Sequence, residues 1–389
     1  MKAKKWIAVL LCPLVLIPMT ACWDNKELDS LAIVTGVGVD ASSEPGLLDL
    51  SFQVNTVQNA STKEESSGGG ESAFLMLEAT NRFILHGMNS LRLENSRELF
   101  LHHNQVIVFG KELAQKGIKP YLDMFMRNKG SRMEVWVVIA EEDARSILST
   151  ETQQDKNSAI SLTRMIQNER QISTFTSTNM LHFASDLIDR STAPVAIIVK
   201  SIEEGDMKKL AFSGLGVFKD DVLVGTLDSY MTQGFVMSMG DTKGNCLELI
   251  LDRGEANVHV SQSTAEKEIV LNDDGGITMK LKINAQLAVG EIHGFRSMNM
   301  QQLIPLLDEA AQKDIELKAK ASFAESQRLR SDIYGIGQEI YRRYPKEWKN
   351  LEDSWAELYP NIKLELQVET KIDYTGKISE SLIMKEGHK

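Results

Sequence analysis

The chain has 389 residues, a formal charge of −11, 42% hydrophobic residues and 25% charged residues. That length exceeds what one hydrophobic core usually serves, so two or three domains are expected, and the composition is that of a globular protein, not a disordered one. The acid excess argues against a nucleic-acid partner, whose phosphates need Lys and Arg patches, and against electrostatic adhesion of the chain as a whole to an anionic leaflet.

Lys2, Lys4 and Lys5 precede an apolar run from Trp6 to Met19, and Thr20-Ala21 place small residues before Cys22. This is the order of a secretion signal. The run is shorter than the roughly 20 residues a transmembrane helix needs, and Pro13 and Pro18 interrupt it. Met19-Thr20-Ala21-Cys22 resembles a bacterial lipobox. That resemblance implies a signal peptide over residues 1–21, cleavage after Ala21, and Cys22 as an N-acylated, S-diacylglyceryl N-terminus. Two acyl chains, at about 0.8 kcal/mol per buried CH₂, anchor stably where one does not. The alternative is ordinary secretion with an incidental cysteine. Loss of the signal takes three lysines with it and brings the charge to −14. Cys12 leaves with the signal, so Cys246 remains alone and no intramolecular disulfide can form. It reads as a structural thiol, with no His partner apparent for catalysis.

Residues 22–202 read as an N-terminal α/β domain. Ala32 to Val39 is a strand, and Leu48, Leu50, Phe52 and Val54 alternate with polar residues as the second arm of a hairpin. Asn59 to Gly70 is a polar, Gly-rich loop without the Lys-Ser/Thr of a phosphate loop. Ser72 is placed as the cap of a helix reaching Leu85. Strands are predicted at 104–109 and 135–140, helices at 111–126, 141–148 and 177–190, and a closing strand at 195–199. Strands alternating with helices define this class.

Residues 203–389 read as a C-terminal α+β domain, with Glu203 to Lys209 as the boundary and 207–242 as a small middle domain in an alternative division. A hairpin over 210–225 and a helix over 226–239 are followed by strands at 247–260, 268–271 and 277–289. The turn at 272–276, Asn-Asp-Asp-Gly-Gly, makes that sheet antiparallel. The spacing then predicts a long amphipathic helix over 301–344, a shorter one over 347–358 and a last strand over 362–372. The fold class is a multi-domain α+β mixture.

No H-E-x-x-H, G-x-S-x-G, phosphate-loop or dinucleotide motif occurs, so no catalytic residue, metal or cofactor is assigned. His102 and His103, in an extended segment, point to opposite faces and cannot share a metal. Asp220-Asp221 and Asp273-Asp274 read as turn residues.

A family resemblance runs through the mature chain in order. Cys22-Trp23-Asp24 with Glu27-Leu28, then Gly36-Val37-Gly38-Val39-Asp40, are similar to the opening of the C-subunit lipoproteins of spore germinant receptors, the Ger(x)C family. Ser331-Asp332-Ile333-Tyr334-Gly335-Ile336-Gly337, Tyr344-Pro345-Lys346, Trp348, Trp355 and Tyr359-Pro360 resemble that family's C-terminal block. The Gly-rich loop at Ser66 to Gly70 departs from the pattern. The resemblance implies a non-enzymatic receptor subunit, held by its lipid on the outer face of the cytoplasmic membrane, the spore inner membrane. It would be required for germination and would work with integral-membrane A and B subunits. Trp23, Asp24, Asp332, Tyr334, Gly335, Trp348 and Trp355 are candidates for partner contact or for a structural motif, Trp being enriched at interface hot spots. Trp348 and Trp355, seven apart, fall on one helical face. A solute-binding lipoprotein of a transporter is the alternative function.

Overall fold

The computed structural model describes residues 30–55, 74–152, 155–172, 174–189, 191–205, 207–240, 242–295 and 298–373. The signal, Cys22, Trp23, Asp24, Ser72 and the Gly-rich loop lie outside them.

The first sheet is built on β1 (Leu31–Ala41), β5 (Val106–Gly110) and β6 (Trp136–Ala140), which are apolar almost throughout, and on β8 (Val195–Glu204), which is apolar over its first half. They run parallel, and continuous apolar sequence is what a strand covered on both faces requires. Alternation divides them between two cores. Ile107, Phe109, Val137 and Ile139 face one, while Val106, Val108, Val138 and Ala140 face the other. Antiparallel wings extend the sheet with β2 (Leu48–Asn55) and β3 (Phe74–Asn81) on one side, and β9 (Met207–Lys219) and β10 (Val222–Leu227) on the other. The order is β10-β9-β8-β6-β5-β1-β2-β3, with two short strands, β4 (Glu98–Phe100) on β1 and β7 (Thr178–Asn179) on β6.

Helices α1 (Ile84–Glu94), α2 (Lys111–Ala114), α3 (Lys119–Arg127) and α6 (Met180–Ile188) contribute to the first of these cores, while α4 (Ala144–Leu148) and α5 (Ser158–Ile172) contribute to the second. The start of α5 is held by Gln53 from β2. Its amide donates to the Leu148 carbonyl at 2.8 Å and to Ser158 Oγ at 2.9 Å, and accepts from the Ala159 N–H at 3.0 Å.

The second sheet has the order β11 (Cys246–Leu251), β12 (Gly254–Leu271), β13 (Ile277–Gly294), β14 (Lys363–Ile372). Its first three strands are antiparallel and β14 joins parallel to β13. Helix α8 (Met300–Arg328) lays Leu303, Leu307, Ala311, Ile315 and Ala319 into one core with Val258, Val260, Leu281, Ile283 and Leu287 of this sheet. Helix α7 (Ser229–Met239) crosses α8. The two backbones approach so closely that a Cβ at Gly234 would lie 2.1 Å from the Lys318 carbonyl oxygen.

Several expectations need correction. Residues 74–81 form strand β3, not helix, because Leu75 and Leu77 sit at strand spacing and β2 supplies a ladder; the helix begins at Ile84. The helix expected over 111–126 is two, broken at Gly117 with φ 107. Leu101 to His103 is a 3₁₀ turn rather than extended chain, with His102 stacked on Phe100 at 4.3 Å. The helix expected over 301–344 stops at Arg328, where the chain reverses through Arg330 (φ 55) and Gly335 (φ 64) before α9 (Ile336–Arg343). The helix expected over 347–358 is α10 (Pro345–Leu351) and α11 (Trp355–Leu358), separated by a 3₁₀ turn. Helix α5 had no counterpart in the sequence reading.

The strand expected to close the first domain is internal to its sheet. β8 continues to Glu204 through the expected boundary at 203, and β9 and β10 add to the same sheet. That hairpin has one face in each half of the molecule: Phe218 and Leu223 enter the first core, while Leu215, Val217 and Leu227 enter the core of the C-terminal segments. Asp221, expected in a solvated turn, accepts from the Lys119 N–H at 2.9 Å and so caps α3.

Gly234→Ala tests the α7–α8 approach. Helix propensity alone would favour alanine by up to about 1 kcal/mol, yet displacing a backbone carbonyl by this much overpacks the site at about 1–3 kcal/mol. The expected outcome is a net loss in urea unfolding.

Candidate functional site

The C-terminal block forms a buried junction in the loop between α8 and α9. Ser331 Oγ donates to the Phe218 carbonyl at 2.5 Å, tying the loop to β9. Asp332 follows, 5% exposed. Its Oδ1 accepts from the Ile336 N–H at 3.0 Å, and its Oδ2 accepts from the Gly337 N–H at 2.7 Å and from Trp355 Nε1–H at 3.3 Å. The carboxylate thus closes the N-terminus of α9, where free N–H groups and the helix dipole favour an acid. Its own carbonyl accepts from the Ala193 N–H at 2.9 Å, just before β8. Burial pushes the Asp332 carboxyl up to about 6 against the pull of the Gly337 and Ile336 N–H groups and the Lys267 charge.

The neighbours complete the enclosure. Tyr334 is packed edge-on to Phe235 and Phe323, each at 5.3 Å, and its hydroxyl donates to Ser322 Oγ at 2.9 Å. Lys267, from β12, donates to the Tyr334 carbonyl, and burial draws its amine downward while Asp332 opposes the shift. Gly335 adopts φ 64, which opens α9 at no steric cost to a residue without Cβ. Trp348 and Trp355 meet at 5.1 Å with their rings tilted 67°. A Cβ at Gly337 would sit 2.7 Å from Trp348 and 2.8 Å from the Ser191 carbonyl, so only glycine lets α9 approach both. Gln338 then bonds the Ser191 carbonyl at 3.0 Å and Asp189 Oδ2 at 2.9 Å.

Asp332, Tyr334, Gly335, Trp348 and Trp355 are therefore brought together, and all are buried. Their geometry is that of a packing motif. The two Trp meet across separate helices rather than along one. The sequence reading missed Lys267, Ser331 and the Ser191–Ala193 segment. Nothing in Ala265-Glu266-Lys267-Glu268 marks a half-buried lysine, whereas Gly337 stood within the motif and only its neighbours were unknown.

Two cavities lie elsewhere. One, of about 370 Å³, is lined by Asp40, Gly110, Lys111, Glu112, Glu142 and Asp143 at the C-terminal ends of β1, β5 and β6. Asp40 there is 8% exposed, and its carboxylate accepts from the Ala144 and Arg145 N–H groups at 2.7 and 3.1 Å, which it spends on positioning α4. The other, of about 610 Å³, lies on the outer face of the second sheet among Glu266, Glu268, Lys280, Lys282 and Glu365. Among the described residues no three His, Cys, Asp or Glu are placed to hold a metal, and no helix is long and apolar enough to cross a membrane. Cys246 departs from its expected structural role. It is exposed on β11, with His259 Nδ1 3.7 Å from its sulfur.

These features define a chain whose two halves share a sheet and a buried junction. Residues 24–201 match the family model described as the spore germination protein N-terminal domain, and residues 213–376 match that described as spore germination B3/GerAC-like, C-terminal. The chain belongs to the GerAC-like family of spore germination proteins and is a C subunit of that type. It is similar to spore germination protein KC of Bacillus subtilis (strain 168), 22% identical over 96% of each chain. Protein GerQC of Bacillus cereus is 21% identical over 96% of this chain and 99% of its own. The crystal structure of the GerBC protein has the same fold, with a TM-score of 0.53 at 15% identity, covering 90% of this chain and 99% of that one.

Asp332→Asn turns one acceptor oxygen into an NH₂ facing N–H donors. Its expected cost is about 2–4 kcal/mol in chemical denaturation, since it leaves buried groups unpaired. Trp355→Phe, which removes one 3.3 Å bond, should cost less.

On α6, burial raises the Asp186 carboxyl from 3.8 to about 6, with Asp189 adding to the shift and His182 opposing it. The native chain therefore binds more proton than the unfolded one between those values, and this group's contribution to stability is lost as pH rises through them. Asp186→Asn should match the parent near pH 4. Near pH 7 it should exceed the parent by about 1 kcal/mol, a figure reduced for solvent screening of a partly exposed group.

Proposed function

We propose that this protein is a lipid-anchored, non-catalytic C subunit of a nutrient germinant receptor. It assembles with integral-membrane A and B subunits on the outer face of the cytoplasmic membrane, which in the spore is the inner membrane. The observation that carries this reading is the extent of the family match. The two models begin at residue 24 and end at residue 376, so the matched region starts two residues after the lipobox cysteine.

The acyl chains on Cys22 hold the subunit beside its partners, and the folded part supplies a rigid body on which they assemble. Partner contacts fall on the surface and not on the Asp332 block, which is consumed by packing. A solute-binding reading has less support, because such proteins carry two similar lobes about a cleft, whereas here a ten-stranded sheet with a parallel centre stands against a four-stranded one.

Cys22→Ala tests the anchor. In a strain with a single receptor for the nutrient supplied, the variant should leave the spore membrane fraction and germination should be lost. A variant that germinates at the parental rate would overturn the reading.

A further inference from the structure

The parallel strands of the first sheet give the molecule two chemically different ends. At the C-terminal ends of β1, β5 and β6 the residues are acidic: Asp40, Glu112, Glu141, Glu142 and Asp143 surround one cavity with Lys111 as the lone cation of its lining. At the opposite end β1 begins at Leu31, paired with Glu98 of β4. The 3₁₀ turn after β4 meets the loop that leads into β6, since a Cβ at Gly130 would lie 3.3 Å from His102 Cε1. Segments 92–103 and 127–134 at this end hold five Lys and Arg against three Glu in a chain whose overall charge is −11. Arg97, Lys129 and Arg132 are exposed there, as is Leu93, at 89%.

Two distances make the polarity effective. Eleven strand residues separate the ends of β1, about 35 Å at 3.3 Å each. That is several times the Debye length of about 8 Å at physiological salt, so a charged surface feels one end at a time. From Cys22 to Leu31 the chain advances nine residues, which span about 30 Å at full extension. An anchored Cys22 therefore keeps the basic end within reach of the bilayer, while the acidic end can stand clear of it.

Given a lipid-anchored Cys22, on which this inference rests, we propose that the N-terminal edge of the parallel sheet faces the membrane and contacts anionic lipid headgroups through Arg97, Lys129 and Arg132. Electrostatic contact of this kind comes from Lys and Arg lying within a Debye length of the leaflet. The net charge argued against adhesion of the whole chain, yet its distribution supplies one face that fits. The acidic cavity, repelled by the same lipids, is presented outward.

Hydrogen-exchange mass spectrometry on the full mature chain held on vesicles tests this. One preparation uses native acylation. The other, in a Cys246→Ser background, couples the Cys22 thiol to a maleimide-headgroup lipid. Phosphatidylglycerol-containing vesicles should slow exchange in 96–105 and 128–134 by about threefold or more relative to pure phosphatidylcholine, with 42–46 and 141–145 unchanged. The triple variant Arg97→Glu, Lys129→Glu, Arg132→Glu should abolish the slowing, as should high salt. Equal exchange on the two vesicle types, slowing at the acidic end, or slowing that survives the triple variant overturns the proposal. Failure of native acylation appears separately, as an N-terminal peptide without acyl mass, and then the thiol-coupled preparation alone decides the orientation.

Discussion

The Asp332 carboxylate is the interaction on which the arrangement of this molecule depends. A buried charge is costly unless its hydrogen-bonding capacity is met, and here three N–H groups meet it. Two come from the first turn of α9 and one from the indole of Trp355. The same residue's carbonyl receives the Ala193 N–H. One side chain and its peptide thus fix α9, α11 and the entry to β8 relative to each other. Lys267 supplies the opposing charge without forming the junction by itself, since its own bond goes to the Tyr334 carbonyl.

Around this polar centre the packing is apolar and drawn from both halves of the chain. Leu215, Val217 and Leu227 of the β9–β10 hairpin share a core with Phe235, Phe323, Tyr334, Trp348 and Trp355. The family models divide the chain between residues 201 and 213, and in sequence terms the division is real. In the fold that interval holds the end of β8, a turn and the start of β9, all within one sheet. A hinge there would have to break ladder hydrogen bonds and open a core.

Charge is distributed with the same directionality. Because β1, β5, β6 and β8 run parallel, every strand start falls at one end and every strand finish at the other. Acids line the finish of β1, β5 and β6, and the segments that lead into β5 and β6 hold more cations than acids.

Much of this was legible in the sequence, for a physical reason. β1, β5 and β6 announced themselves because burial on both faces requires continuous apolar residues, and the Asn-Asp-Asp-Gly-Gly turn required the β12–β13 hairpin because only such residues take those dihedral angles. The Asp332 block was visible as a motif. Its role was not, because the indole its carboxylate bonds and the lysine it faces lie more than 20 and 60 residues away, and the Ala193 N–H on its carbonyl more than 130. The same limit explains the other misses. β3 reads as helix until β2 supplies its ladder, and the long C-terminal helix reads as continuous until Arg330 and Gly335 are forced into left-handed turns by the junction. Local pattern determined most of the stretches that are strand or helix and where the chain carried charge. Long-range contact decided where the helices stop, which sheet the central hairpin joins, and which charges share an end, because each of these depends on the free energy of burying one distant segment against another.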